Sequence, residues 1–383
     1  MESIIIGVIL SFILTFYAIP SIISIASMKK LYDYPDERKI HVNPIPSLGG
    51  VGIFGGFLLG LLIAADAGPI IQHFQFLIAA FIIVFFLGVK DDILIITPLK
   101  KFIGQVVVGL LLMFKAGILI QNMYGFLSIT TIDPTLSFFL TLFTIIVITN
   151  AFNLIDGIDG LAAMLSIVSL TVFGVFFYLN HDMFYALLAF CFVASLLAFL
   201  IYNFYPAKIF MGDTGSTLSG LLNAILVIRF INTAENSTLL PHLSSPAMGF
   251  GILLIPMLDT LRVFGIRILH GRSPFSADRN HLHHILLDRG LSHKSIAFSL
   301  SAFALLFILL SYFALPLGTT KVILIQTALF FSGIYILHIT KPKSIQLYAV
   351  GNEEENTITN TTSFVNRISQ SLFNKNEKQA KNN

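Results

Sequence analysis

The feature that most restricts how this chain can fold is its succession of long apolar runs. A hydrocarbon core about 30 Å thick is crossed by about 20 helical residues. Runs of that length recur at 3–26, 47–65, 74–89, 102–121, 135–152, 161–179, 183–203, 215–231, 246–265, 295–316 and 321–340. They are too long and too evenly apolar for barrel strands, and a helix satisfies its backbone polar groups within itself. The expected fold is therefore an all-α polytopic membrane protein of about eleven transmembrane helices. Composition agrees. Only 11% of residues are charged, against about 25% in an average soluble domain, and the mean hydropathy is +0.86. Such a chain cannot cover its surface with polar groups, so lipid must be its solvent.

Smaller signals refine this. The first run is longer than a signal-peptide core and has no basic segment before it or small-residue cleavage site after it, so it is read as a retained span. Cys191, the one cysteine, rules out an intramolecular disulfide. Phe is abundant, with 37 residues, and Trp is absent, which leaves Phe and Tyr to occupy the interfaces. Gly49, Gly50, Gly52, Gly55 and Gly56 crowd one run. That crowding points to close helix packing in preference to phosphate binding.

Charge decides the sidedness. The segments 27–46, 90–101, 153–160, 204–214 and 266–294 carry Lys29, Lys30, Arg38, Lys39, Lys90, Lys100, Lys101, Lys208, Arg267, Arg272, Arg279, Arg289 and Lys294. Lys341 and later positions add further Lys and Arg. The alternate loops have essentially none, with Lys115, Arg229 and Lys321 at the ends of flanking runs. The positive-inside rule then places the first set in the cytoplasm, the N-terminus outside and the C-terminus inside. The expected organisation is one transmembrane catalytic domain over 1–341, with its active-site loops on the cytoplasmic face. The Asn-, Glu-, Lys- and Ser-rich segment 342–383 is read as a disordered cytoplasmic tail, with a short surface helix conceivable around 364–373.

Four segments in the basic loops carry the chemistry. Asp91-Asp92 lies between Lys90 and Lys100-Lys101. Adjacent carboxylates repel, so ionising both calls for a shared cation or proton, unless the pair is merely solvated. In NAFNLIDGIDG, the residues Asn153, Asp156 and Asp159 recur every three positions. On a helical turn their oxygens converge on one side, a donor set suited to Mg²⁺ or Mn²⁺; Asp-Gly turns are the plain alternative. In FMGDTGS, Asp213 or Ser216 could cap the following helix. Equally, a Gly-flanked carboxylate at a helix start admits a metal-bound diphosphate, with Phe210 offering a face to a planar base. In SPFSADRNHLHH, His281, His283 and His284 could bind zinc. With no Cys nearby and with Arg272, Arg279 and Arg289 around them, they are better matched to phosphate oxygens. Together these segments suit phosphoryl transfer at a lipid interface.

Taken in order, HVNPIPSLGG, DD, NAFNLIDGIDG, PAKIFMGDTGS and SPFSADRNHLHH resemble the motifs of the polyprenyl-phosphate N-acetylhexosamine-1-phosphate transferases, from about Arg38 to Lys294. The resemblance implies transfer of a sugar-1-phosphate from a UDP-sugar to undecaprenyl phosphate, with release of UMP and with Mg²⁺ or Mn²⁺. This would start a lipid-linked surface glycan in a bacterial cytoplasmic membrane. The last motif looks more like the GlcNAc-1-phosphate branch, including O-antigen and teichoic-acid enzymes. The branch taking UDP-MurNAc-pentapeptide carries consecutive histidines, which Leu282 interrupts here. By this resemblance Asp213 and Asn153 contact the metal, while Asp156 and Asp159 lie beside it or the uridine. Asp91 and Asp92 face the lipid phosphate, one of them as a base. Lys101, Arg279 and the segment from His281, a catalytic candidate, to His283 and His284 bind phosphates, and Phe210 packs on uracil. In some relatives a basic residue follows the Asp pair closely; here Ile93–Ile96 intervene. No nucleic-acid partner is expected, and a homodimer is admissible for such a bundle. The rival class is a transporter, which would need ionisable groups near the midpoints of its spans.

Overall fold

The computed structural model describes residues 1–33, 44–65, 71–94, 96–233, 245–274 and 278–340. The readings of 342–383, of Arg38 and Lys39, of the first three residues of HVNPIPSLGG and of Phe275, Ser276 and Ala277 lie outside them. Of the described residues, 79% are helical. In order, the elements are α1 (Glu2–Lys29), β1 (Tyr32–Asp33), β2 (Ile45–Pro46), α2 (Gly49–Ala64), α3 (Ile71–Leu94), α4 (Pro98–Lys115), β3 (Asn122–Phe126), β4 (Ile129–Thr131), α5 (Pro134–Ile155), α6 (Leu161–Leu179) and α7 (Met183–Asn203). Then follow α8 (Gly212–Asn232), α9 (Pro246–Ile252), α10 (Leu254–Leu269), α11 (Leu282–Leu287), α12 (His293–Ala314) and α13 (Thr319–Ile339). Met1–Ile339 form one compact unit.

Among the described residues, seven helices are long and apolar enough to cross a membrane: α1, α5, α6, α7, α8, α12 with its short 3₁₀ extension, and α13. α2 is apolar but shorter. The protein is a helical, multi-pass membrane protein. Two small antiparallel pairs, β1 with β2 and β3 with β4, interrupt the helical pattern. The second pair arises because α4 stops short of its apolar run. Gly117, at φ +69°, turns the chain, and Ile118 N returns to Leu112 O at 3.1 Å.

The run 246–265 is broken as well, into α9 and α10 at Leu253. Pro256 explains the break, since its ring has no N–H and conflicts with the carbonyl four residues back.

α8 is the central helix: 94% of its apolar window is buried, against 17% for α13. It packs on α2, α3, α5 and α6. Glycine makes the closest approaches possible. On α2, a Cβ at Gly56 would overlap Thr15, and one at Gly60 would overlap Ser11; both α1 residues are fully buried. This is the close packing that the glycine-rich run predicts. Part of the Phe excess is also explained. Phe57, Phe81 and Phe192 are buried and meet edge to face, at centroid distances of 5.6 Å and 5.0 Å, so the rings fill the core where these helices meet.

Candidate active site

α3 ends and α8 begins at the same end of the bundle, and a carboxylate joins them. Asp92 on α3 accepts from Asp213 N at 2.7 Å, from Thr214 N at 3.1 Å and from Thr214 Oγ1 at 2.5 Å. The first N–H groups of a helix have no partner within it. Asp92 supplies that partner from another helix, and both its oxygens are occupied in doing so. Close contact is required here: a Cβ on Gly88 would meet the Thr214 backbone, and one on Gly212 would meet Asp92 and Ser47. The first motif is latched to the same place, with Gly49 N donating to Phe210 O at 3.0 Å and Gly50 N to Met211 O at 2.8 Å.

Asp91 faces differently. One of its oxygens accepts from Ile96 N at 2.6 Å, and the other pairs with Lys101 on α4. The Lys101 ammonium also pairs with Asp213, so one cation lies between two carboxylates from α3 and α8. On the far side of Asp213, Asn153 of α5 donates its amide to Asp213 Oδ1 at 2.9 Å and to Ser216 Oγ at 3.0 Å. Three sequence motifs thus converge on Asp213.

α5 ends at Ile155, and Asp156 occupies its C-cap. Among the described residues the Asp156 carboxylate has no hydrogen-bond or ion-pair partner. Burial, and then the charges of Asp213, Asp92 and Asp159, push its pKa up to about 8. Asp159 accepts from Ala207 N at 3.1 Å and has His293 Nδ1 at 3.6 Å. The turn is braced by buried Asn203, whose Oδ1 takes Gly160 N at 2.9 Å and whose amide reaches Ile209 O at 2.9 Å.

The histidine segment closes over this turn. A Cβ on Gly157 would overlap the His283 ring. His283 is buried, and its centroid is 5.7 Å from that of His281 and 4.3 Å from that of His284. Burial, and then the neighbouring His284, hold the His283 pKa down at about 3. His284 is also lowered, by burial and by Arg279. Both enter the site as neutral rings near pH 7. Nδ1 of each is buried without a hydrogen-bond partner among the described residues. His281 faces away from them, into the bundle: Nδ1 lies 2.9 Å from Asp259 Oδ2 and Nε2 lies 3.5 Å from Arg267. Arg279 is exposed at the edge, 3.4 Å from Asp288. Phe210 is half-buried, with its backbone donating to Pro46 O at 2.8 Å.

The structure therefore gathers Asp91, Asp92, Lys101, Asn153, Asp156, Asp159 and Asp213, sets His283 against them, and leaves Arg279 at the rim. Sequence reasoning passed over Asn203, Asp259, Arg262 and His293 and counted Arg267 only as a topology charge. Asp259 and Arg262 had a readable signal, since ionisable residues inside an apolar run need a reason. His293 and Asn203 had none, because only folding brings them to Asp159 and Gly160.

The donor set suits a hard cation. Asp91 and Asp213 share the Lys101 ammonium, and the Asp156 carboxylate has no partner among the described residues. Among the described residues no three His, Cys, Asp or Glu side chains form a ready metal cage. That too is compatible with Mg²⁺, which is commonly held by one or two carboxylates together with substrate phosphates.

Comparison with known proteins agrees with this geometry. The profile of glycosyl transferase family 4 matches residues 74–231, which span Asp91 to Asp213. The chain is 32% identical over 306 residues to a decaprenyl-phosphate N-acetylglucosaminephosphotransferase of Mycobacterium leprae, covering 74% of this chain and 77% of that protein. It is 31% identical over 269 residues to an undecaprenyl-phosphate alpha-N-acetylglucosaminyl 1-phosphate transferase of Yersinia pestis, covering 69% and 71%. A protein of the same description from Escherichia coli K12 is 28% identical over 277 residues. With this extent of similarity, the chain belongs to glycosyl transferase family 4, the polyprenyl-phosphate N-acetylhexosamine-1-phosphate transferases.

Proposed function

We propose that the protein transfers an N-acetylhexosamine-1-phosphate, with GlcNAc-1-phosphate first among the candidates, from a UDP-sugar to undecaprenyl phosphate. The observation that carries this reading is the convergence of Asp91, Lys101 and Asn153 on Asp213, beside unpaired Asp156, at one end of a membrane bundle. The relatives named for transfer of N-acetylglucosamine phosphate to a polyprenyl phosphate support the sugar and the acceptor.

In the reaction, a phosphate oxygen of the lipid attacks the β-phosphorus of the UDP-sugar. A new P–O–P bond forms, the bond to the α-phosphate breaks, and UMP leaves with that electron pair. The second pKa of a phosphate monoester is about 6, so the acceptor is largely ionised at neutral pH. Its difficulty is repulsion from the diphosphate and from the ionised carboxylates around Asp213. Lys101 offsets part of this charge by holding Asp91 and Asp213. Asp213 and Asn153, with Asp156 beside them, would hold Mg²⁺ or Mn²⁺, which neutralises diphosphate charge when bound. Asp92 is committed to the start of α8, which leaves Asp91, with its Lys101 partner, as the member of the pair to meet the acceptor. His283 and His284 offer neutral ring nitrogens to phosphate oxygens, and Phe210 offers its ring to uracil.

The charge count puts this end of the bundle in the cytoplasm, as part of an eleven-span arrangement in a bacterial inner membrane. A transporter reading is disfavoured, because Asp91, Asp92, Asp156, Asp159 and Asp213 sit at helix ends and in the turns between helices.

The test is incubation of membranes containing the full chain with labelled UDP-sugars, undecaprenyl phosphate and Mg²⁺. A lipid-linked sugar phosphate formed from UDP-GlcNAc, lost on chelation and lost in Asp213→Asn, is the expected result. Normal exchange of labelled UMP into UDP-GlcNAc by Asp213→Asn would sink the site assignment.

A further inference from the structure

Asp259 has no exposed surface at all, and it lies on α10. Each partner of its carboxylate belongs to α10 or to the chain that returns from it. Oδ1 accepts from Arg262 at 2.7 Å and from Leu282 N, the first residue of α11, at 3.0 Å. Oδ2 meets His281 Nδ1 at 2.9 Å. Nearby, Arg267 grips Asp278 through two nitrogens at 2.9 Å and 3.1 Å and also donates to Pro274 O. Arg262 reaches Asn280 O at 2.5 Å.

We propose that Asp259 is a positioning residue for the transfer reaction: through His281 and the start of α11 it sets His283 against the Asp156-Gly157 turn. The proposal rests on the reading that the α11 histidines meet substrate phosphates.

The argument is one of proton inventory. A carboxylate at Nδ1 requires that nitrogen to carry the hydrogen. Arg267 has donors and no acceptor, so the Nε2 that faces it must present its lone pair. His281 then has both nitrogens engaged, and it bridges two ion pairs, Asp259–Arg262 and Asp278–Arg267. It cannot turn to substrate without leaving a buried carboxylate and a buried guanidinium short of a partner. The nitrogens left for a ligand are those of His283 and His284, whose Nδ1 atoms have no hydrogen-bond partner among the described residues. Where those rings stand depends on where α11 begins, and Leu282 N is held by Asp259.

The energetics favour a positioning role over a stabilising one. Buried ion pairs are weak contributors to stability, but removing one member strands the other, so such networks hold a register firmly. The segment 278–282, fastened at Asp278, Asn280, His281 and Leu282, has little freedom to shift. The device therefore fixes one short helix against one turn.

The experiment compares full-length wild type with Asp259→Asn and Asp259→Leu in lipid nanodiscs. The readouts are transfer kinetics and modification of individual histidines by diethylpyrocarbonate, resolved by mass spectrometry. In wild type, buried His283 is protected. The expected result is that Asp259→Leu exposes His283 and lowers kcat by about 100-fold, the scale of a misplacement of about 1 Å. KM for the polyprenyl phosphate should hold, measured well below the thermal midpoint of each variant, since breaking the buried pair lowers that midpoint. Asp259→Asn, which keeps an acceptor oxygen, should fall between. Unchanged protection of His283 in the folded protein overturns the proposal, and so does an unchanged kcat. If Asp259→Leu does not fold, Asp259→Asn carries the same two readouts. If wild type transfers no sugar phosphate, the proposed function fails, and the His283 footprint still decides whether Asp259 places α11.

Discussion

Asp91 and Asp92 are neighbours with different work. Asp92 gives both oxygens to the start of α8, whereas Asp91 shares a lysine with Asp213. Replacing Asp92 with Ala leaves two backbone N–H groups and a hydroxyl without their acceptor, at a cost of about 1–3 kcal/mol for each buried group left unmade. Asp92→Ala should therefore lower the thermal midpoint and the activity together, while Asp91→Asn should lower activity with little change in midpoint. Thermal unfolding in detergent beside a transfer assay separates the two. Gly157 allows a sharper test, since an added Cβ would overlap the His283 ring. Gly157→Ala should reduce kcat by about tenfold or more through displaced histidines and leave the helical content intact by circular dichroism. His283 itself links stability to pH. Its folded pKa is about 3 against the usual histidine value of 6.5, so between those values the unfolded chain binds the extra proton. The contribution is full above about 6.5 and is lost as the pH falls toward about 3, with a slope approaching 1.4 kcal/mol per pH unit. Unfolding midpoints measured from pH 7 to pH 5 should fall less steeply in His283→Gln than in wild type.

Among the elements, α8 carries the consequences. It is the most buried helix, its N-terminus is capped by α3, and its first turn bears Asp213. Any change in how α3 meets α8 therefore moves the site. α1 and α2 test the glycine packing away from the site: Gly56 lies against Thr15 so closely that a side chain cannot be admitted. Gly56→Leu should destabilise the protein by about 1–3 kcal/mol, as overpacking does, read as a lower midpoint with kcat unchanged in the folded fraction. The break between α9 and α10 has a local cause in Pro256, and that break sets the direction in which α10 offers Asp259 and Arg267 to the returning chain.

At the scale of the whole molecule, charge is sorted between two ends. The end bearing Asp213 carries most of the described Lys and Arg. At the other end of α8, Arg229 is paired with Asp182 at 2.8 Å and lies 5.0 Å over the Tyr185 ring. That exception to the charge asymmetry is thus neutralised where it stands. If the Asp213 end faces the cytoplasm, a cysteine placed at Lys100 in a Cys191→Ser background should resist a membrane-impermeant maleimide in intact cells and react in inverted vesicles. The opposite pattern would reverse the proposed orientation.

The apolar runs determine by themselves that the chain is a helical membrane protein, because a bilayer admits few ways of satisfying a backbone. The same runs locate the long helices to within a few residues, and the motif order points to the chemistry. Charge in the loops groups the candidate residues, since polar residues leave the hydrocarbon whatever the helix packing. What the runs do not encode is partnership. That Asp92 caps α8 while Asp91 meets Lys101, that His281 turns inward to Asp259, and that Asn203 and His293 join the site all depend on contacts between residues from 10 to 134 positions apart. Only tertiary structure decides them, because a hydrogen bond is set by distance and direction in space, and those appear only once the helices have packed.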